Sequence, residues 1–233
     1  MFVMSGKLKN ILITWSSSGI WKSLKNNFQE DYNIIWISRN HPSIVSLESR
    51  GSRVDCKSDG NKNYKHISLD LSDISNLEQI SDYLEKNNIL LDGIILNAWI
   101  WFFDEFWNIS EENYSKMLDL NLKSPIILTQ KLLPYLSQKA KIIFIWSICS
   151  KKFMKYWAVY QATKFGLRWF AGSIKNELKW KKIHLINPKI VETNFHNNSH
   201  ISMDIHQKTE IWDILSTIEN IFSWDETRFE IDL

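Results

Sequence analysis

Tyr160 and Lys164 stand four residues apart in the stretch Ala158-Val159-Tyr160-Gln161-Ala162-Thr163-Lys164. On a helix that spacing puts both side chains on one face, one turn apart. An ammonium beside a phenol favours the phenolate and lowers the tyrosine pKa. A phenol tuned in this way can give and take a proton near neutral pH. Tyr-x-x-x-Lys is a weak pattern on its own. It gains weight from Ser147, which follows the apolar run Ile142-Ile143-Phe144-Ile145. A buried strand there would project Ser147 from its carboxyl end toward the same point.

These groups need elements to hold them. Asn10 to Thr14 is a short apolar run bounded by turn residues, which predicts a buried first strand. It leads into Thr14-Trp15-Ser16-Ser17-Ser18-Gly19-Ile20-Trp21 and a helical stretch to about Phe28. A strand, a tight loop and a helix N-terminus are the expected phosphate cradle of a dinucleotide-binding fold. Further strands are predicted over 33–38, 66–69, 93–96, 141–145, 183–186 and 229–232. Helical patterns separate them. Ser75-Asn76-Leu77-Glu78 has the spacing of a capping box and opens a helix to about Lys86. Ser110 begins a long amphipathic helix to roughly Leu136, the Tyr160 helix runs to about Leu178, and the last spans about Thr209 to Phe222. Strands alternating with helices predict βαβ units and a parallel sheet. The expected fold is α/β: a single doubly wound Rossmann-type domain over 1–233, with a mostly parallel sheet of about seven strands flanked by helices. Its ligand crevice would lie at the carboxyl ends of the strands.

Composition narrows the function classes. Charge is nearly balanced, with 28 basic and 26 acidic residues, and gives no electrostatic case for nucleic acid or a membrane surface. Cys56 and Cys149 make neither a disulfide framework nor a metal-ligand pattern, and no metal is expected. There is no apolar run of about 18 residues. The opening Met-Phe-Val-Met-Ser-Gly-Lys-Leu-Lys-Asn lacks a signal-peptide apolar region, so the expectation is a cytoplasmic protein.

Ser147, Tyr160 and Lys164 at this separation resemble the short-chain dehydrogenase/reductase family. The resemblance runs from residue 8 to about 195. It implies NAD(P)(H)-dependent interconversion of a carbonyl and an alcohol. Tyr160 would be the proton donor, Lys164 would hold the cofactor ribose and tune Tyr160, and Ser147 would position the substrate oxygen. Asp119-Leu120-Asn121-Leu122 resembles the segment with the family's fourth catalytic residue, which would make Asn121 the holder of a relay water. The family's Thr-Gly-x-x-x-Gly-x-Gly loop maps onto Thr14, Trp15, Ser17, Gly19 and Ile20 as cofactor contacts. After the second strand, Ser38 and Arg39 suit a 2′-phosphate, so NADP(H) is favoured over NAD(H). Asp70 and Leu71 fall at the adenine position, Asn97-Ala98-Trp99 matches an Asn-Ala-Gly motif, and Pro188, Val191 and Thr193 match a nicotinamide-contacting loop. Lys189 stands where that loop has Gly. The polar stretch at 194–208 corresponds to a substrate lid. The family usually forms dimers or tetramers, so a small-molecule substrate and a homodimer or homotetramer are implied. The rival expectation is a non-catalytic dinucleotide-binding or scaffold protein on the same fold.

One departure from that family recurs. Tryptophan (12 residues) outnumbers glycine (7 residues). A chain of this length would carry about 16 glycines at ordinary usage, and adding the tryptophans to the glycines comes close to that. Trp15, Trp21 and Trp99 fall on glycine positions of the family's motifs, and Trp157, Trp169 and Trp180 fall where relatives commonly have Gly. Glycines in such loops allow positive φ and let backbone amides touch a pyrophosphate. The expectation is that one codon, UGA the candidate because its meaning varies between genetic codes, is written here as Trp but read as Gly by the cell. The other reading is a Trp-rich chain that has lost cofactor binding. As written, the chain is expected to fold poorly and bind NADP weakly.

Overall fold

Strands buried on both faces read as continuous apolar runs, and the runs in this chain are strands of that kind. The computed structural model describes residues 8–14, 32–39, 63–147, 151–191, 208–223 and 226–233. Its strands are β1 (Lys9–Thr14), β2 (Tyr32–Ser38), β3 (Tyr64–Ser68), β4 (Leu91–Leu96), β5 (Leu136–Ile145) and β6 (Lys182–Asn187), then β7 (Ile190–Val191), β8 (Lys208–Thr209) and β9 (Glu230–Asp232). One seven-stranded sheet has the order β3-β2-β1-β4-β5-β6-β9, and every pairing in it is parallel. The expected mostly parallel sheet is therefore wholly parallel among the described residues. β7 and β8 pair separately, also in parallel.

Alternation along each strand sends neighbouring side chains to opposite faces. Leu12, Ile35, Ile94, Ile142 and Leu185 pack on one face with Leu84, Leu128, Leu167 and Ala171 from helices α1 (Glu78–Lys86), α3 (Ser124–Leu132) and α4 (Ala158–Glu177). Ile11, Ile13, Ile34, Ile143 and Ile186 pack on the other with Ile214, Ile218, Ile221 and Phe222 from α5 (Ile211–Ser223). The chain is thus a single α/β domain with helices on both faces. No helix of the described residues is long and apolar enough to cross a membrane.

Besides shifts at strand ends, three features of the elements differ from the sequence expectations. The cap before α1 is Asp73, not Ser75. Its carboxylate accepts from the Ser75 amide at 3.1 Å and the Ser75 hydroxyl at 2.6 Å, and a 3-10 turn over Ile74–Leu77 runs into the helix. A carboxylate can take both donors at once, which leaves Ser75 as a donor. The long helix begins at its Ser110 cap but is not uniform. α2 (Glu111–Leu118) widens into a π turn over Asp119–Lys123 before α3, and Leu136 already belongs to β5. Pro125 supplies the reason: it has no N–H to give the Asn121 carbonyl four residues back. Thr209 pairs with Val191 in a ladder instead of opening α5. Lys208 is the one described residue of the stretch expected as a lid.

Two measurements check this packing. A Cβ on Gly93 would lie 2.4 Å from ring atoms of Phe222 and 3.2 Å from the Lys141 carbonyl oxygen. Gly93→Ala should therefore cost about 1–3 kcal/mol in denaturant unfolding, through displacement of a buried ring. His184 is buried in β6 with Nδ1 2.8 Å from the Arg228 carbonyl oxygen. Burial pushes its pKa below the ordinary histidine value, against the opposing pull of that hydrogen bond. With the folded pKa below the unfolded one, the stabilisation is complete above the unfolded value and is lost as pH falls from there through the folded value. The unfolding midpoint should drop as pH falls below the ordinary histidine value of about 6.5, and His184→Gln should lack that component.

Candidate active site

The strand order reverses direction between β1 and β4, and at such a switch point the carboxyl ends of two strands open a crevice. Thr14 ends β1 there. Its buried hydroxyl oxygen accepts from the Asn97 amide at 3.1 Å and the Ala98 amide at 3.2 Å, just past the end of β4. This hydroxyl fixes how the chain leaves β4, and with it the direction of the segment 99–103.

Tyr160 and Lys164 lie in the first turns of α4, and both are buried, at 4% and 2% exposure. The helix forms because Tyr160, Thr163, Lys164, Leu167, Ala171 and Ile174 recur on its inward face. The Lys164 ammonium sits 5.4 Å from the centre of the Tyr160 ring. Tyr135 and Lys139 share the same sequence spacing. There, however, the chain passes from a 3-10 turn into β5, so those two do not share a helix face. Ser147 is half-buried just beyond β5, whose end is tied to β6 by the Trp146 amide donating to the Ile186 carbonyl at 2.8 Å.

Asn121 lies in the π turn and is buried. Its Oδ1 accepts from the Ile100 amide at 2.8 Å, and its Nδ2 donates to the Ile100 carbonyl at 2.7 Å. The same Nδ2 is 3.4 Å from the Thr163 hydroxyl, which itself donates to the Tyr160 carbonyl at 2.7 Å. Asn121 thus staples the segment after β4 to α4. Thr14, Asn121, Ser124 and Lys164 line a cavity of about 10 Å³, the size of one water.

Aromatic rings close over this polar frame. The Tyr160 ring has Trp157 at 5.4 Å, Trp99 at 6.0 Å and Trp101 at 6.4 Å. Phe103 packs on Trp101 at 3.9 Å and on Trp157 at 4.4 Å. The Lys164 ammonium stands 5.4 Å from the Trp146 ring and 5.5 Å from the Trp99 ring, an arrangement that attracts a cation.

The remaining expected site residues scatter around this centre. Ser38 is buried at the end of β2 with its hydroxyl 3.0 Å from His66 Nε2, so it is held within the sheet. Arg39 beside it is exposed. Asp70 accepts from the amide and hydroxyl of Ser72 at 2.9 and 2.7 Å, and Leu71 is a core residue. Pro188 is buried, Val191 is half-buried in β7, and the Lys189 amide donates to the Thr209 hydroxyl at 2.8 Å. Trp15, Ser17, Gly19, Ile20 and Thr193 lie outside the described residues, as does 194–207. Sequence reasoning missed Gln161 and Thr163. Gln161 accepts from the Met154 amide at 2.9 Å and donates to the Lys152 carbonyl, pinning the loop before α4. Lys151 anchors that loop from its other side through Asp232 at 2.6 Å and Glu230 at 3.2 Å. Their place in the helix that carries Tyr160 was the only available signal.

The family model described as short chain dehydrogenase matches residues 9–219. The chain belongs to the short chain dehydrogenase family. It is an enzyme of the short-chain dehydrogenase/reductase class, and its relatives agree. It is 24% identical over 169 residues to the sepiapterin reductase of Chlorobaculum tepidum, covering 68% of this chain and 66% of that one. A short chain dehydrogenase from Burkholderia cenocepacia in complex with NADP has the same fold, with TM-score 0.76 and 14% identity over 97% of this chain and 96% of that one. A short chain dehydrogenase from Leptospira borgpetersenii with bound NAD+ gives TM-score 0.78 at 18% identity, over 97% and 91%.

The polar frame of this family member fits a dinucleotide: Thr14 holds the switch point open, and Lys164 and Asn121 stand beside it. The rings do not fit. A nicotinamide beside Tyr160 and Lys164 would have to occupy space that Trp99, Trp101, Trp146 and Trp157 fill. The Thr14 clamp can be tested directly. Thr14→Val should cost about 1–3 kcal/mol of stability, because it strands buried amides, whereas Thr14→Ser should cost far less. Thermal or denaturant unfolding of the two variants reads the difference.

Proposed function

We propose that this chain is an NAD(P)(H)-dependent oxidoreductase that interconverts a small-molecule carbonyl and its alcohol. The observation that carries the reading is the pairing of Tyr160 and Lys164 on one buried helix face beside the strand-end crevice. Tyr160 protonates the nascent alkoxide, or deprotonates the alcohol in reverse. Lys164 favours the phenolate by its charge and bonds the cofactor ribose. Ser147, at the end of β5, hydrogen-bonds the substrate oxygen. Bound beside this pair, a nicotinamide would supply or accept the hydride. Asn121 supports proton relay, though its side-chain amide is already committed to Ile100. A relay water would sit in the small cavity that Asn121 shares with Lys164. NADP(H) is the preferred cofactor, since exposed Arg39 after β2 suits a 2′-phosphate. The functional unit is a homodimer or homotetramer.

A second reading, a non-catalytic dinucleotide-binding or scaffold protein, is favoured by one observation: the rings around Tyr160 leave it 4% exposed. Mutagenesis separates the two. Tyr160→Phe should reduce turnover of small ketones with NADPH to background while leaving NADPH binding unchanged. Retained turnover removes Tyr160 from the mechanism, and no NADPH binding by protein made with glycine at the tryptophan positions supports the scaffold.

A further inference from the structure

The catalytic frame and the rings that fill it disagree, and the rings are mostly tryptophan. Trp99 and Trp146 follow β4 and β5, and their rings stand 5.5 and 5.4 Å from the Lys164 ammonium. Trp157 is the N-cap of α4, and its side chain makes no capping hydrogen bond. N-caps favour Ser, Thr, Asp, Asn and Gly, and an indole has no acceptor with which to satisfy the helix's first amides. Trp180 sits in the turn after α4, two residues past the Leu178 C-cap, in a turn closed by the Lys181 amide donating to the Leu178 carbonyl at 2.8 Å. These four positions flank the ends of strands and helices.

The indoles are also placed against their own chemistry. Trp107, Trp169, Trp180 and Trp212 stand 62% to 76% exposed, unusual for the largest apolar side chain. Trp146 is buried, and its Nε1–H meets no acceptor among the described residues, although buried indoles ordinarily find one. Trp36, Trp169 and Trp212 stand inside regular elements, and nothing around them favours glycine.

We propose that the functional protein carries glycine at the 12 positions written as tryptophan, through a codon, UGA, that its cell reads as glycine. Removing the indoles at 99, 101, 146 and 157 uncovers Tyr160 and Lys164 and frees room for a nicotinamide and a carbonyl. This steric part rests on the dinucleotide reading above; the codon part does not.

The decisive experiment is peptide mass spectrometry on the protein purified from the cells whose gene encodes it. Trypsin releases Tyr156–Lys164 and Trp169–Lys175, each with one of the positions in question. The expected masses are those with glycine at 157 and 169, and tryptophan in either peptide overturns the proposal. This readout does not depend on activity, so it stands or falls apart from the oxidoreductase reading. A second measurement compares NADPH binding by the chain as written and by a chain with all 12 changed, Trp15→Gly through Trp224→Gly. The glycine chain should bind at least about tenfold more tightly. Equal, measurable binding would overturn the claim that the indoles block the crevice.

Discussion

The hydroxyl of Thr14 holds the crevice of this protein in place. It accepts two amides from the chain leaving β4, at the point where the sheet reverses its strand order. Parallel strands share no tight turn, so adjacent strand ends are free to splay. A side-chain oxygen that bridges β1 to the exit of β4 prevents this at the place where a ligand must bind. The segment 97–103 takes its course from that bridge, and the surroundings of Tyr160 take theirs from the segment.

A second tie works from the helix side. The π turn around Asn121 arises from Pro125 and places the Asn121 amide against the Ile100 backbone. Through Thr163 the same amide reaches the turn of α4 that carries Tyr160. The post-β4 segment is thereby fixed to β1 at one end and to α4 at the other. Gln161 and Lys151 do the same for the loop before α4. Tyr160 and Lys164 sit among rigid supports, which proton transfer at a fixed atom would require.

The aromatic enclosure runs against this arrangement. A phenol that exchanges protons with a substrate must be reachable, yet Tyr160 and Lys164 are buried beneath indoles. Of those indoles, Trp99 and Trp146 follow strand ends and Trp157 caps α4. The polar residues describe an open crevice and the tryptophans describe a closed one.

Much of the fold was legible because a parallel sheet buried on both faces writes itself as apolar runs. β1, β4, β5 and β6 were visible as Ile- and Leu-rich stretches, and their alternation with helices gave the topology. Tyr160 and Lys164 were visible because helical spacing is local. The Asp73 cap was missed because Asp73, Ser75 and Glu78 offer competing local bonds of similar strength. The pairing of Thr209 with Val191 was missed because it joins residues far apart in sequence. The sequence by itself determined the strand–helix alternation, the Tyr–Lys face and the excess of tryptophan, since each depends on near neighbours or composition alone. Only the tertiary structure decided that Thr14 clamps β4, that Asn121 staples Ile100 to α4, and that the indoles gather around Tyr160. Each of these joins residues brought together by sheet order and packing, which no local pattern encodes.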